Sequence, residues 1–139
     1  MALETIFKLA SSGMHAQSVR LNTTASNLAN AQTVSGTAEE AYKARHPIFA
    51  THRHFADTLH DAYAKGVRVD QITHSSLEAS ARHEPGHPQA NDDGYVFYPN
   101  VNTVEEMANM LSASRAFEVN AEVISTTKKL MESVMSIGR

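Results

Sequence analysis

Hydrophobic side chains recur every seven residues over the last part of the chain, residues 102–139. A second set follows three places after the first, which is the three-four spacing of one helix lying along another. The first set is Met110, Phe117, Ile124 and Met131, and the second is Ala113, Asn120, Thr127 and Val134. Asn102 and Thr103 form an N-capping sequence, and neither glycine nor proline follows until Gly138. The pattern predicts a long C-terminal helix that needs a partner helix.

A similar seven-residue pattern fills residues 1–31 and supplies that partner. Its positions are Phe7, Met14, Leu21 and Leu28, with Leu3, Ala10, Gln17 and Thr24 between them. Glu4, Lys8 and Arg20 are the charged residues of this segment, and most of the others are small and neutral. Small neutral faces suit packing against more than one helix. The alternative is a helix that frays, because Gly13 and many Ser, Thr and Asn residues lower helix propensity.

The middle of the chain has the alternation and turn residues of short strands. Residues 42–49 predict a strand that Pro47 confines to a sheet edge. Residues 66–72 predict a strand with a register shift or bulge, and residues 95–98 a four-residue strand closed by Pro99. Residues 84–88 and 91–94 predict turns, whereas residues 55–64 are ambiguous between a helical turn and a loop.

These elements predict a mainly α protein with a small β part. The long terminal helices are expected to pair as an antiparallel coiled coil around a central short-stranded, loop-rich insertion. We expect residues 1–34 and 101–139 to form one discontinuous terminal-helix domain, and residues 35–100 a central β and loop region. Residues 32–102 carry six basic and nine acidic side chains, so the insertion is the acidic part of the chain.

Composition excludes several classes of function. A net charge of −3 argues against nucleic-acid binding, for which a basic patch is expected. No apolar run is long enough to span a membrane, and the N-terminus has no pattern of a cleaved secretion signal. The chain has no cysteine, which excludes disulfides and thiolate chemistry.

Candidate catalytic and metal motifs have simpler interpretations. Residues 83–87 read HEPGH and fit the zinc-protease pattern H-E-x-x-H. That chemistry needs a helix, and Pro85 followed by Gly86 favours a turn instead. His52, His54 and His60 could hold zinc or copper, but surface histidines in a loop are the favoured interpretation. We therefore expect no enzyme activity, no cofactor and no metal.

Methionines on the C-terminal pattern have two interpretations. Met107, Met110, Met131 and Met135 could form an adaptable peptide groove or the ordinary core of a helix pair. The core is the commoner arrangement and the one we favour.

Two sets of motifs resemble one protein family. Gln17, Arg20, Leu21, Ala25 and residues 27–31 (NLANA) are similar to the N-terminal motif of the axial proteins of the bacterial flagellum, the rod and hook subunits. Residues 84–88 (EPGHP), 94–96 (GYV), 98–102 (YPNVN), 106–107 (EM) and 112–118 (SASRAFE) resemble the short proximal-rod members of that family. The region from residue 51 to 81 departs from the pattern.

The resemblance implies a structural role without catalysis. A rod subunit of this kind leaves the cell through the flagellar type III export apparatus without a cleaved signal peptide. It then polymerises in the periplasm into the drive shaft of the basal body, which transmits motor torque and surrounds the export channel. The implied partners are copies of itself, other flagellar rod proteins, the rod adaptor at the inner-membrane ring and the export apparatus, with no nucleic acid and no direct membrane span.

Two groups of residues carry this expectation. The helix seam and assembly residues are Leu3, Phe7, Met14, Gln17, Leu21, Asn27, Leu28, Asn30, Met107, Met110, Ser114, Arg115, Phe117, Asn120, Ile124 and Met131. The family turn motif comprises Pro85, Gly86, Pro88, Gly94, Tyr95, Tyr98, Pro99 and Asn100. The alternatives are a soluble helical adaptor that binds one partner helix and a small histidine-based metal-binding protein.

Overall fold

Two long helices and four short strands make up the fold. The computed structural model describes residues 2–51 and 66–137, apart from the side chains of residues 2 and 137. The elements in chain order are helix α1 (Ala2–Asn30), strands β1 (Arg45–Thr51), β2 (Val67–His74), β3 (Ser80–His83) and β4 (Tyr95–Tyr98), and helix α2 (Thr103–Ile137). The prediction of a mainly α protein with a small β part is confirmed. The proposed domain boundaries stay a prediction.

Helix α2 starts at the cap that the sequence predicts. The side-chain Oδ1 of Asn102 accepts hydrogen bonds from the backbone N–H groups of Val104 and Glu105, at 3.1 and 3.3 Å. The carbonyl of Asn102 accepts the N–H of Glu106 at 3.0 Å, so the cap satisfies donors that the first helical turn cannot. The helix then continues for 35 residues, a length of about 52 Å.

The two helices contact each other and run in opposite directions. Arg20 Nη2 on α1 donates to Asn109 Oδ1 on α2 at 2.9 Å. Nearer the start of α1, a Cβ added to Gly13 would lie 3.0 Å from Oδ1 of Asn120, which is further along α2. Small side chains are buried on both helices, including Ala16 and Ala113, so the backbones approach closely. Coiled-coil packing in the strict sense stays a prediction.

Strands β1 and β2 form a two-stranded antiparallel sheet with an irregular register. Ile48 pairs with Gln71, but the next residue, Phe49, pairs with Val69. Asp70 is therefore the extra residue of a bulge, as predicted for this strand. Strand β1 begins at Arg45 rather than at residue 42. In the segment before it, Ala41 and Ala44 are buried and the Tyr42 hydroxyl donates to Asn27 on α1.

Strands β3 and β4 form a second antiparallel pair, from Ser80 opposite Tyr98 to His83 opposite Tyr95. Strand β4 has the predicted bounds, whereas the polar strand β3 is not evident from the sequence. Among the helices and strands that the structure describes, β3 and β4 approach only each other to within 8 Å between Cα atoms. An isolated antiparallel β-bridge between Ser35 and Phe97 joins this hairpin to the segment after α1. Its two backbone hydrogen bonds have N···O distances of 3.0 and 2.9 Å.

Candidate functional site

A buried asparagine joins helix α1 to the first sheet. The side chain of Asn27 is fully buried, and its Nδ2 donates to the carbonyl of Arg45 at 2.9 Å. Its Oδ1 accepts the backbone N–H of Arg45 at 2.8 Å and the Tyr42 hydroxyl at 2.9 Å. The amide therefore pairs with both backbone polar groups of one residue, as a neighbouring strand would. This arrangement fixes the start of β1 on the C-terminal part of α1.

A second contact holds the other end of the same sheet. Ser12 Oγ accepts the backbone N–H of Val67 at 3.1 Å, and Val67 pairs with Thr51 at the end of β1. Ser12 and Asn27 are about 22 Å apart along a helix axis. Strand β1 covers about 20 Å between its ends. The sheet thus lies along α1 and is attached to it at two points, which restricts how it can swing relative to the helix.

The seam residues predicted from the heptads lie in varied environments. Asn27 is buried, whereas Phe7 and Met131 are 45 % and 42 % exposed in this single chain. The half-buried members are Leu3, Met14, Gln17, Leu21, Leu28, Asn30, Met110, Ser114, Phe117, Asn120 and Ile124, and the exposed ones are Phe7, Met107, Arg115 and Met131. Gln17 Oε1 is buried without a hydrogen-bond partner in the described part of the chain. Their role in assembly stays a prediction.

Helix α2 presents an exposed apolar surface to solvent. Successive members are three, four, seven or eight residues apart, so each lies near the next and the set winds gradually around the helix. We call this surface the outer stripe; it consists of Val104, Met107, Leu111, Val119, Val123, Leu130 and Val134. The side chains of residues 128–136 are all exposed, because in the antiparallel register this part of α2 extends past the start of α1. An apolar surface of this extent is typical of a protein–protein interface.

The family turn motif forms the end of the β3–β4 hairpin. Residues 85–86 form a turn directly after β3, so the predicted turn at the H-E-x-x-H sequence is confirmed. Gly94 and Pro99 are buried, Tyr98 is half-buried, and the exposed members are Pro85, Gly86, Pro88, Tyr95 and Asn100. Gly94 has a φ of 76°, a left-handed conformation that favours glycine.

Aromatic and polar contacts fix this hairpin. The Tyr98 hydroxyl donates to the Glu84 carboxylate at 3.3 Å. The Arg82 guanidinium lies 4.5 Å from the centre of the Tyr98 ring, and the rings of His83 and Tyr95 meet edge to face at 5.1 Å. Glu84 is therefore occupied by a structural hydrogen bond in the turn.

Most charged side chains of the described residues form no ion pair. Within the described residues, the ion pairs are Glu4 with Lys8 at 2.7 Å and Arg68 with Asp70 at 2.9 Å. The hydrogen bond and the charge of Lys8 lower the pKa of the Glu4 carboxyl from its ordinary value, and Glu4 raises the pKa of Lys8 in the same way. Both pairs are exposed, so their contribution to folding stability is small.

The described residues contain neither a candidate metal site nor a helix that could span a membrane. No group of three or more His, Asp or Glu side chains within residues 2–51 and 66–137 is arranged to hold a metal ion. His52, His54 and His60 lie outside the described residues. No helix in these two ranges is both long and apolar enough to cross a membrane.

Sequence reasoning missed the partners of the predicted residues. The contribution of Tyr42 and Arg45 to the Asn27 site was not expected, and neither was the contact of Gly13 with Asn120. The position of Asn27 in the NLANA motif, directly before Leu28, was the available signal for a structural role. No local pattern indicated that its partners lie in the following segment.

Comparison with known proteins defines the class of this chain. A family model described as "Flagella basal body rod protein" matches residues 7–35. A second model, "Flagellar basal body rod FlgEFG protein C-terminal", matches residues 92–137. The two matches cover most of α1, and β4 together with α2, so they fall on the helix pair and the strand that leads into it. The class is that of the flagellar rod proteins.

Full-length relatives identify the family within that class. The chain is 40 % identical to the flagellar basal-body rod protein FlgC of Salmonella typhimurium over 139 residues, which is 100 % of both chains. FlgC of Yersinia enterocolitica is also 40 % identical over the whole of both chains. FlgC of Borreliella burgdorferi is 34 % identical, with 99 % of this chain and 98 % of the relative aligned. The chain belongs to the FlgC family of flagellar basal-body rod proteins.

Proposed function

We propose that this chain is a structural subunit of the flagellar rod that polymerises into the periplasmic drive shaft around the export channel. The outer stripe of α2 is the observation that carries the proposal. A helix that already packs against α1 and still has an apolar surface along its length needs further helices to cover it. The implied neighbours are copies of this chain, other rod proteins and the adaptor at the inner-membrane ring, reached after export through the type III apparatus.

Attachment of the sheet to α1 supports a mechanical role. The hydrogen bonds of Asn27 and Ser12 hold the β1–β2 sheet at two separated points. A sheet held at both ends moves together with its helix, so a torque applied to one is passed to the other. The close approach at Gly13, with Asn120 against it, serves the same purpose between the two helices.

The outer stripe gives a direct test of assembly that leaves the fold of the single chain intact. Leu111 is 54 % exposed, so Leu111→Asp places a charge on the surface rather than in the core of the subunit. In an assembled rod the same charge would be buried without a partner, which is strongly unfavourable. We expect cells that carry only this variant to lose motility in soft agar, with the purified variant keeping the helix content of the wild type by circular dichroism.

Ser125→Asp is the matched control, because it adds the same charge at an exposed position two residues after Val123, about 200° around the helix from that stripe member. This control should leave motility unchanged. Cells that swim normally with Leu111→Asp would contradict the role of the outer stripe.

The heptad seam gives a second, more severe test. Leu21 and Phe117 are half-buried, so Leu21→Asp or Phe117→Asp should disturb helix pairing and abolish assembly together. Motile cells carrying either substitution as their sole copy would refute the proposed rod subunit.

A further inference from the structure

A basic groove is lined by residues of α1, β1 and α2. Its volume is about 340 Å³, and its basic lining residues are Arg20, Arg45 and His46. Pro47 and Phe49 of β1 supply an apolar wall, so the groove combines cationic donors with a surface that excludes water on one side. Such a combination is typical of a site for a carboxylate-bearing segment.

Both guanidinium groups in the groove have unused hydrogen-bonding capacity. Arg20 is held by one hydrogen bond to Asn109, and Arg45 has its backbone fixed by Asn27 while its guanidinium lies 5.8 Å from the Tyr42 ring centre. Neither arginine forms an ion pair with a carboxylate of the described residues. The groove therefore holds two positioned cations whose charge is not neutralised by the described part of the same subunit.

An acidic turn on the same chain has the complementary properties. Asp92 and Asp93 are both exposed and lack ion-pair partners among residues 2–51 and 66–137. Asn91 Oδ1 accepts the N–H groups of Asp93 and Tyr95 at 3.1 and 2.8 Å, and the Asn91 carbonyl accepts the Gly94 N–H at 2.9 Å. Hydrogen bonds thus hold the turn in shape before binding, which reduces the conformational entropy lost on contact.

The acidic turn and the basic groove belong to separate parts of the subunit. The strands of the hairpin that carries the turn have no Cα atom within 8 Å of a Cα atom of α1, α2, β1 or β2, which are the elements that form and support the groove. We propose that the turn at Asp92 and Asp93 docks into the basic groove of a second copy of this chain. The contact joins two different surfaces, and a head-to-tail contact of this kind repeats from copy to copy. This inference rests on the proposed rod function and names one self-assembly contact.

Charge reversal on each side tests the contact. Arg45→Glu, or Asp92→Lys combined with Asp93→Lys, places like charges opposite each other in every copy-to-copy contact. Like charges across an interface cost several kcal/mol, so we expect each variant to need about tenfold or more protein for half-maximal assembly. The measurement is sedimentation of assemblies from the purified chain over a concentration series.

An equimolar mixture of the two variants distinguishes a contact between copies from an effect within one copy. In the mixture, the altered groove of one variant meets the altered turn of the other, and the two unaltered surfaces also meet. When the two variants alternate along an assembly, every contact is attractive. The protein concentration needed for half-maximal assembly should therefore return towards that of the wild type. Added salt should weaken the rescue, because exposed charges are screened.

Matched control variants and the wild type show whether the docking contact or the rod function fails. Lys43→Glu, or Glu39→Lys combined with Glu40→Lys, changes the charge equally at exposed positions that neither line the groove nor belong to the turn, and should leave assembly unchanged. Variants that assemble like the wild type, or a mixture that fails to rescue, would overturn the docking contact and leave the rod function standing. Wild-type chains that never assemble, alone or with other rod proteins, would contradict both proposals.

Discussion

Replacing Asn27 with alanine should loosen the first sheet from helix α1. The substitution removes three hydrogen bonds, two to the backbone of Arg45 and one to the hydroxyl of Tyr42, with lengths of 2.8–2.9 Å. Asn27 is fully buried, so water cannot readily replace the amide unless the surrounding structure opens. The result should be a less stable fold in which the start of β1 is no longer fixed.

The expected magnitude follows from the number of bonds. Each hydrogen bond contributes about 1 kcal/mol net to the free energy of unfolding, so the loss of all three lowers it by about 3 kcal/mol. Alanine has a higher helix propensity than asparagine, which offsets roughly 0.6 kcal/mol of that loss. The net destabilisation is therefore about 2–3 kcal/mol, which corresponds to a decrease in Tm of roughly 10 °C for a chain of this size.

Urea and thermal unfolding, followed by circular dichroism at high protein concentration, measure this change. Asn22→Ala is the matched control, because Asn22 lies on the same helix and its side chain is exposed. Hydrogen exchange of the Arg45 amide adds a local measurement, and this amide should lose protection in Asn27→Ala while keeping it in the control. Equal stability of the two variants, to within about 0.5 kcal/mol, would refute the reasoning.

Two further predictions concern turn and cap chemistry. In a urea titration, Gly94→Ala should destabilise the β3–β4 hairpin by about 1–2 kcal/mol, because alanine is strained at a left-handed position. Gly86→Ala is the control and should have little effect, because a Cβ added to Gly86 meets nothing within 4 Å. Asn102→Ala should lower stability by about 1 kcal/mol through loss of the N-cap. Asn100→Ala is its exposed control, and equal unfolding midpoints for these two variants would contradict the role of the cap.

Local chemistry made part of the fold predictable. Asn102 followed by two acidic residues specifies a helix start through its own side chain and backbone. The bulge at Asp70 follows from an apolar alternation that breaks between Val69 and Ile72. Strand β4 lies between a turn and Pro99, both of which are visible in the sequence. In each case the information lies within a few residues of the feature.

Contacts between distant segments could not be predicted in the same way. Strand β3 is polar and fully exposed, so it forms through pairing with β4 rather than through a pattern of its own. Asn27 finds its partners in the segment after α1, which no spacing rule indicates. Heptad spacing also leaves open which face of α2 meets α1, because apolar side chains occupy the outer stripe as well.

Negative-stain electron microscopy of the purified chain, mixed with the other rod proteins of the same organism, tests the rod subunit most directly. A polymer that forms by helix packing along the outer stripe should appear as short rods or tubes. Leu111→Asp should abolish these assemblies in the same mixture, whereas Ser125→Asp should not. A stable complex with a single partner chain and no polymer would contradict the account and favour a helical adaptor instead.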